Sequence, residues 1–278
     1  MTSSIRFLKG HGTRNDFVIL DDPEGRLKLA PGTVAALADR RAGIGGDGVI
    51  RVVRTRAASI DAPADAPEWF MDYRNADGSL AEMCGNGVRV FAAHLRRAGH
   101  VRTDSFSVWT RAGERSVEIL AGGPEWTVRV GMGASLLTRT GRTVEIAGHR
   151  LPVTEVDMGN PHAVAFLPEH VALEELDLAR RPALDPEPAQ GANIELVSER
   201  GGRHVAMRVH ERGVGETESC GTGVAAVAVA AAARAQDTSG RPWRVDAPGG
   251  TLEVGWRSDG EVTLTGPAAL VAEGTADL

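Results

Sequence analysis

With 278 residues, 42% of them hydrophobic and 24% charged, the chain has the make-up of a globular protein and the length of two domains at roughly 150 residues each. A formal charge of −6 without a basic face argues against a general nucleic-acid or membrane-surface role. No apolar run is long enough to span a bilayer, and the start at Met1-Thr2-Ser3-Ser4-Ile5-Arg6 has no secretory core, so the expected home is the cytoplasm, where thiols stay reduced.

The chain opens with two strand-like runs, Ile5–Lys9 and Phe17–Leu20, around Gly10-His11-Gly12. Thr33 reads as the cap of a helix through Ala42, with Val34 and Leu37 on one face. The glycine-rich run 43–48 formally matches a dinucleotide fingerprint, but a helix precedes it and the strand Val49–Val53 follows, the reverse of what that site needs. It reads as a structural turn. Residues 57–67 form a loop, and the strand Trp69–Arg74 ends in the turn signal Asn75-Ala76-Asp77-Gly78-Ser79. Next comes Met83-Cys84-Gly85-Asn86-Gly87-Val88, opening an amphipathic helix that closes at Gly99; Val88, Phe91, Ala92 and Leu95 line one side, with Arg89, Arg96 and Arg97 elsewhere.

A meander of short strands follows at Phe106–Thr110, Ser116–Leu120, Trp126–Val130, Thr143–Ile146, Val153–Val156 and Ala163–Leu167. After an acidic, proline-bearing excursion over 168–188, strands Asn193–Val197 and His204–His210 lead into Ser219-Cys220-Gly221-Thr222-Gly223-Val224. The helix from Val224 to Ala233 is apolar all round, and therefore buried. Strands near Arg244–Asp246, Thr251–Trp256 and Glu261–Thr265 end the chain.

The order repeats. Asn15-Asp16-Phe17-Val18-Ile19 has a counterpart in Asn160-Pro161-His162-Ala163-Val164, and 75–87 has one in 211–223, displaced by 136 residues. A period this long marks a duplicated domain. Each half is expected to curl a sheet around its helix and to bring its cysteine to a shared pseudo-twofold cleft.

Cys84 and Cys220 are the only two cysteines. Their separation, without Cys-x-x-Cys or paired histidines, argues against a metal site. Glycine at both positions of each Cys-Gly-x-Gly uncovers the thiol and lets a ligand reach backbone N–H groups. A cysteine at a helix mouth is expected to ionise more readily. Two such thiols suit inversion at a stereocentre, one removing a proton and the other delivering one to the opposite face. Only Lys9 and Lys28 are lysines; a pyridoxal-phosphate enzyme needs one for its Schiff base, Lys28 reads as an exposed rim and Lys9 precedes a glycine-rich turn, so cofactor-free chemistry is expected.

The set Asn15-Asp16-Phe17, 75–79, Cys84-Gly85-Asn86-Gly87, Gly159-Asn160-Pro161-His162, Glu211-Arg212-Gly213, Gly215-Glu216-Thr217, Cys220-Gly221-Thr222-Gly223 and Pro248-Gly249-Gly250 closely resembles the diaminopimelate epimerases, in order from about residue 5 to 274. The resemblance implies a cofactor-independent, metal-free two-base epimerase interconverting LL- and meso-2,6-diaminopimelate in lysine and cell-wall precursor synthesis. It implies an α/β (α+β) fold of two pseudo-symmetric domains, each a curled, mainly antiparallel sheet around a central helix, with the active site in the cleft between them. The halves are expected at 1–130 with 266–278, holding Cys84, and at 131–265, holding Cys220. A homodimer acting on a small amino acid, with no nucleic-acid or membrane partner, is implied as well.

Carried over by position, Cys84 and Cys220 match the acid/base pair. Substrate contacts fall on Asn15, Asn75, Asn160, Asn193, Glu211 and Arg212, and reacting-carboxylate contacts on Gly85 with Asn86 and Gly221 with Thr222. His162 and Glu211 match positions that tune the cysteines. Arg212 suits the distal carboxylate and Glu211 the distal ammonium. Two departures stand out: Thr13-Arg14 replaces a Gly-containing turn, and Gly48 stands where some members carry a substrate-touching glutamine. The competing readings are a proline or hydroxyproline racemase, favoured less because of Asn75 and Glu211-Arg212-Gly213, a regulatory disulfide between the two cysteines, and, last, a binding module.

Overall fold

The structure, a computed structural model, describes residues 4–138 and 140–277; Met1 to Ser3, the beginning of the segment expected to lack a secretory core, lie outside the described residues. The chain divides into two compact units, Met1–Val130 with Gly266–Leu278 and Gly131–Thr265.

The first unit holds β1 (Ser4–Gly12), β2 (Asn15–Asp21), α1 (Pro31–Ala38), β3 (Gly48–Arg54), β4 (Trp69–Asn75), α2 (Gly85–Arg97), β5 (Ser105–Thr110), β6 (Gly113–Ala121) and most of β7 (Glu125–Ala134). Neighbouring pairs run β1–β2 antiparallel, β2–β3 parallel, β3–β4 antiparallel, β4–β5 parallel, then β5–β6 and β6–β7 antiparallel. α2 packs on β1, β2, β3, β4 and β6, and its residues from Gly85 to Leu95 are buried.

The second unit holds β8 (Leu136–Thr138), β9 (Thr143–Ile146), β10 (His149–Asp157), β11 (Pro161–Phe166), β12 (Ala183–Asp185), β13 (Asn193–Glu199), β14 (His204–Glu211), β15 (Gly215–Thr217), α3 (Gly221–Arg234), β16 (Trp243–Ala247), β17 (Gly250–Trp256) and the start of β18 (Glu261–Asp277). Here β10–β11 is antiparallel, β11–β13 parallel, β13–β14 antiparallel, β14–β16 parallel, and β16–β17 and β17–β18 antiparallel. The succession of senses is that of the first unit. α3 packs on β10, β11, β13, β14, β16 and β17. Each unit is thus a mainly antiparallel sheet around one buried helix, the α+β class expected of the sequence.

Three sequence expectations shift. α1 starts at Pro31, not at a Thr33 cap, and ends at Ala38 instead of Ala42: Ala30 is its N-cap with no side-chain bond, and proline is pre-set for the first helical position. The 168–188 excursion carries core, since Leu173, Leu176, Leu178 and Leu184 pack with Val144, Ile194 and Leu196. Arg89, expected on the polar face of α2, is fully buried. Gly99 does close α2: at φ +76° it gives its N–H to Arg96 O, while His100 N–H bonds Leu95 O, satisfying the last carbonyls.

Candidate active site

In the first unit Cys84 is the N-cap of α2, in extended backbone, and its Sγ accepts the Gly87 N–H at 3.4 Å. Gly85 and Asn86 follow in the first turn, whose N–H donors point out of the helix end. Asn15, the first residue of β2, brings Oδ1 to 3.5 Å from Cys84 Sγ and 3.3 Å from Asn86 Nδ2. Its own Nδ2 donates to Asp47 Oδ2 at 2.7 Å, so the glycine-rich run, a turn as expected, fixes the Asn15 amide. The neighbouring Asp16 pairs with Arg40 and Lys9; burial works to raise its pKa, but these two cations win and hold it at about 2. Lys9 also donates to the Gly45 carbonyl.

Both departures now have a physical form. Thr13 and Arg14, at φ +50° and +63°, make a two-residue turn closed by the Gly12–Asn15 pair of β1 and β2. At Gly48 a Cβ would lie 2.5 Å from Arg74 O and 2.6 Å from Tyr73 Cε2, so a larger residue has no room without a shift. Asn75 is held in its own turn, Nδ2 donating to Ser79 Oγ at 2.9 Å.

In the second unit Cys220 is the N-cap of α3, its Sγ accepting Gly223 N–H at 3.4 Å and lying 3.5 Å from Thr222 Oγ1. Behind the first turn, whose leading residues are Gly221 and Thr222, the buried His162 sets Nδ1 at 2.6 Å from Glu195 Oε1 and Nε2 at 3.0 Å from Asn160 Oδ1. Glu195 is itself fully buried, and its Oε2 has no hydrogen-bond partner among the described residues. Asn193 accepts the Arg212 N–H at 2.9 Å, and the Arg212 guanidinium donates to Gln190 O at 2.8 Å. Glu211 takes the Thr217 hydroxyl, and burial raises its carboxyl pKa.

Burial first, then the charges of Glu211 and Glu195, push the Cys220 thiol well above its ordinary pKa. The expectation that a helix mouth lowers both thiols is therefore corrected for Cys220: the Gly223 N–H and the Thr222 hydroxyl do not offset a dry site flanked by carboxylates.

The first unit gathers Asn15, Cys84, Gly85 and Asn86; the second gathers Asn160, His162, Glu211, Cys220, Gly221 and Thr222, with Asn193 beside Arg212. Asn75 is engaged by Ser79 and Arg212 by Gln190. Three participants escape a sequence reading: Asp47, Arg89 and Glu195. Glu195 leaves a signal, a lone carboxylate inside the apolar run Ile194–Val197, and Arg89 another, lying three residues past Asn86 on the same helical face.

The family model for diaminopimelate epimerase matches residues 7–138 and 154–271. The chain belongs to the diaminopimelate epimerase family. A diaminopimelate epimerase of Streptomyces coelicolor is 53% identical over 287 residues, covering 100% of this chain and 97% of the relative. Members of this isomerase family share a fold with more distant proteins. A Bacillus anthracis phenazine biosynthesis protein of the PhzF family superposes with a TM-score of 0.72 at 16% identity, over 99% of each chain. A hydroxyproline epimerase from Agrobacterium vitis gives 0.68 at 12%, over 100% of this chain and 94% of that one. At such identities the likeness is one of fold. Among the described residues of this diaminopimelate epimerase family member, no helix is long and apolar enough to cross a membrane.

Proposed function

We propose that the chain interconverts LL- and meso-2,6-diaminopimelate by a two-base, cofactor-independent mechanism in the cytoplasm, as a homodimer. The observation that carries this reading is the pair of cysteines, neither in a disulfide, each capping the buried helix of its own unit in a Cys-Gly-x-Gly context.

One cysteine, as thiolate, takes the α-proton; the other, as thiol, returns a proton to the opposite face, so each turnover moves one proton from the acid sulfur to the base sulfur. The α-carbon is a far weaker acid than a thiol, and charge building on the substrate carboxylate meets the N–H groups of Gly85 with Asn86 and of Gly221 with Thr222. Arg212 takes the distal carboxylate and Glu211 the distal ammonium, while Asn15, Asn75, Asn160 and Asn193 orient the chain between them. The half-buried Glu211 and the fully buried Glu195, the latter bonded to His162, tune Cys220. A second amino-acid end to bind is what separates this substrate from a proline, and Glu211-Arg212 supplies groups for it.

The test is proton NMR of LL-diaminopimelate in D2O with reduced protein. Loss of the α-proton signal as meso product appears is expected; no exchange with both thiols reduced and the protein folded rejects this substrate. Cys84→Ala and Cys220→Ala are each expected to lower turnover by about 10³-fold or more, the upper range for a positioned acid or base, with the circular dichroism unchanged. Substantial turnover by either single variant removes the two-thiol mechanism. Under an oxidation-switch reading, by contrast, both variants stay active under reducing conditions.

A further inference from the structure

Two-thiol epimerisation of diaminopimelate, the reading on which the role inferred for Arg89 rests, leaves one buried charge without a task. Arg89, in the second turn of α2, is the largest fully buried side chain among the described residues, at 0% exposure. Every acceptor it has is neutral: Asn86 Oδ1 at 2.8 Å, Thr13 Oγ1 at 3.2 Å, the Gly85 carbonyl at 3.2 Å and the Pro267 carbonyl at 3.1 Å. No carboxylate pairs with it among the described residues. A guanidinium taken out of water without a counter-ion is strongly penalised, so its retention calls for an anion that is present at some stage of the protein's work.

The geometry names that anion. Arg89 binds the Gly85 carbonyl and the Asn86 side chain, the two residues that follow Cys84 at the helix mouth. Asn86 passes the constraint on: with Oδ1 held by Arg89, its Nδ2 donates to Asn15 Oδ1, the atom that faces Cys84 Sγ. Thr13 reaches Arg89 from a positive-φ turn, an uncommon conformation for a β-branched residue that is held where its hydroxyl is needed. Burial pushes the Arg89 guanidinium down to about 10, and its electrostatic coupling to Cys84 acts the other way, so the side chain is cationic at neutral pH.

The remaining charged groups around this turn are already engaged. Asp47 accepts from the Asn15 amide and pairs with Arg40; Asp16 pairs with Arg40 and Lys9. Arg14 stands in the turn itself. In the second unit the position matching Arg89 is Ala225, and the ionisable groups acting on the thiol are carboxylates, Glu211 and Glu195.

We propose that Arg89 is a positioning residue whose fixed positive charge makes Cys84 the first of the two thiols to ionise, so that Cys84 is the base and Cys220 the acid in the enzyme awaiting substrate. Ionisation sends the Cys84 proton to solvent; Asn15 Oδ1, which loses that donor, keeps the one from Asn86. The Gly87 N–H then faces a thiolate.

Ultraviolet titration of thiolate absorbance, without substrate, tests this on Cys220→Ala and Cys84→Ala, each of which leaves one thiol. Cys84 is expected to titrate at least one pH unit below Cys220, a tenfold difference in acidity. Adding Arg89→Gln to the Cys220→Ala protein is expected to raise the Cys84 midpoint by a unit or more, and Arg89→Lys to recover at least half of that rise. With both cysteines present, Arg89→Gln is expected to lower kcat at least tenfold at pH 7, with KM changed less than threefold and activity regained as pH rises. Cys220 titrating first overturns the proposal, and that comparison needs no change at Arg89, so it stands even if Arg89→Gln does not fold. An unmoved Cys84 midpoint in folded Arg89→Gln also overturns it, including the case where only KM rises, which assigns the charge to the substrate carboxylate. Failure of α-proton exchange in the unaltered protein rejects the diaminopimelate reading and leaves the titrations to decide Arg89.

Discussion

The first turns of α2 and α3 rest on floors of opposite character. Both helices start from a cysteine N-cap, and in both the same two strands pass beneath, β2 with β3 and β11 with β13. The registers match: Phe17 pairs with Gly48 in one unit and His162 with Asn193 in the other, which makes Ile50 and Glu195 equivalent. One thiol therefore stands over phenylalanine and isoleucine with a buried arginine behind it, the other over histidine and glutamate with alanine behind it. Duplication preserved the backbone and the sulfur atoms while the surrounding charges diverged in sign. Burial and two carboxylates raise the Cys220 thiol, and the role proposed for Arg89 sets Cys84 apart from it, as a reaction needing one base and one acid requires.

Changing Glu195 breaks the comparison hardest. Glu195→Ala strands His162, which sits in a fully buried pair with it, and is expected to cost about 3–5 kcal/mol in urea unfolding, the range for removing one partner of such a pair. Glu195→Gln keeps a hydrogen-bonding group of the same shape and removes only the charge. The sign follows from what raises the Cys220 thiol: burial remains, Glu211 remains, and one of the two raising charges is gone, so the Cys220 pKa falls. The alkaline limb of the pH–rate profile, where the acid thiol is lost, is expected to move to lower pH, with kcat down by about tenfold for each unit of mismatch at a fixed pH. A limb that stays in place or moves up removes Glu195 from the tuning of Cys220.

The third residue after each cysteine reads the same difference through packing. A Cβ on Gly223 would lie 2.8 Å from Glu195 Oε1, and that oxygen is pinned by His162. A Cβ on Gly87 meets Ile50 Cδ1 at 3.4 Å and Phe17 Cζ at 3.6 Å, ordinary contact. Gly223→Ala is therefore expected to destabilise by about 1–3 kcal/mol, overpacking outweighing the helical preference for alanine. Gly87→Ala is expected to fall within about 0.5 kcal/mol of the parent or above it, since only the preference operates there. Equal losses at the two sites in thermal unfolding show that the floor does not distinguish them.

How much of this is legible in the sequence depends on whether the signal is local. The cysteine caps, the closure at Gly99 and the strand order announce themselves within a few residues, because capping, left-handed glycine and alternation are short-range physics. The start of α1 is ambiguous because Thr33 and Pro31 both signal a helix start two residues apart, and proline, which needs no N–H there, takes the first position. Arg89 reads as solvent-facing since an arginine on an amphipathic helix ordinarily is; its acceptors Thr13 and Pro267 are distant in sequence, so nothing near residue 89 reveals them. The partner of Glu195 is hidden the same way, since His162 lies across a parallel strand pair. The lowered pKa expected of Cys220 fails on the same ground: the helix mouth is visible in the sequence, whereas the burial and the carboxylates gathered around it are not.

The far ends of the two helices sharpen the comparison by removing charge from it. Both finish in the same left-handed cap. Gly99 donates to Arg96 O with His100 bonding Leu95 O, and Gln236 donates to Ala233 O with Asp237 bonding Ala232 O. One cap residue is glycine at φ +76° and the other glutamine at φ +52°. A Cβ at Gly99 would meet nothing within 4 Å, so Gly99→Ala tests backbone strain alone and is expected to cost about 0.5–1 kcal/mol. Gln236 is exposed, so Gln236→Gly removes little contact. It relieves left-handed strain of about 1 kcal/mol or more and returns part of that as greater freedom of the unfolded chain, for an expected net gain of about 0.5 kcal/mol. A loss at Gln236→Gly alongside the expected loss at Gly99→Ala means that unfolded-state freedom exceeds the strain of a glutamine cap. The second helix would then tolerate its non-glycine end without penalty, and the asymmetry between the units would be confined to the thiol ends.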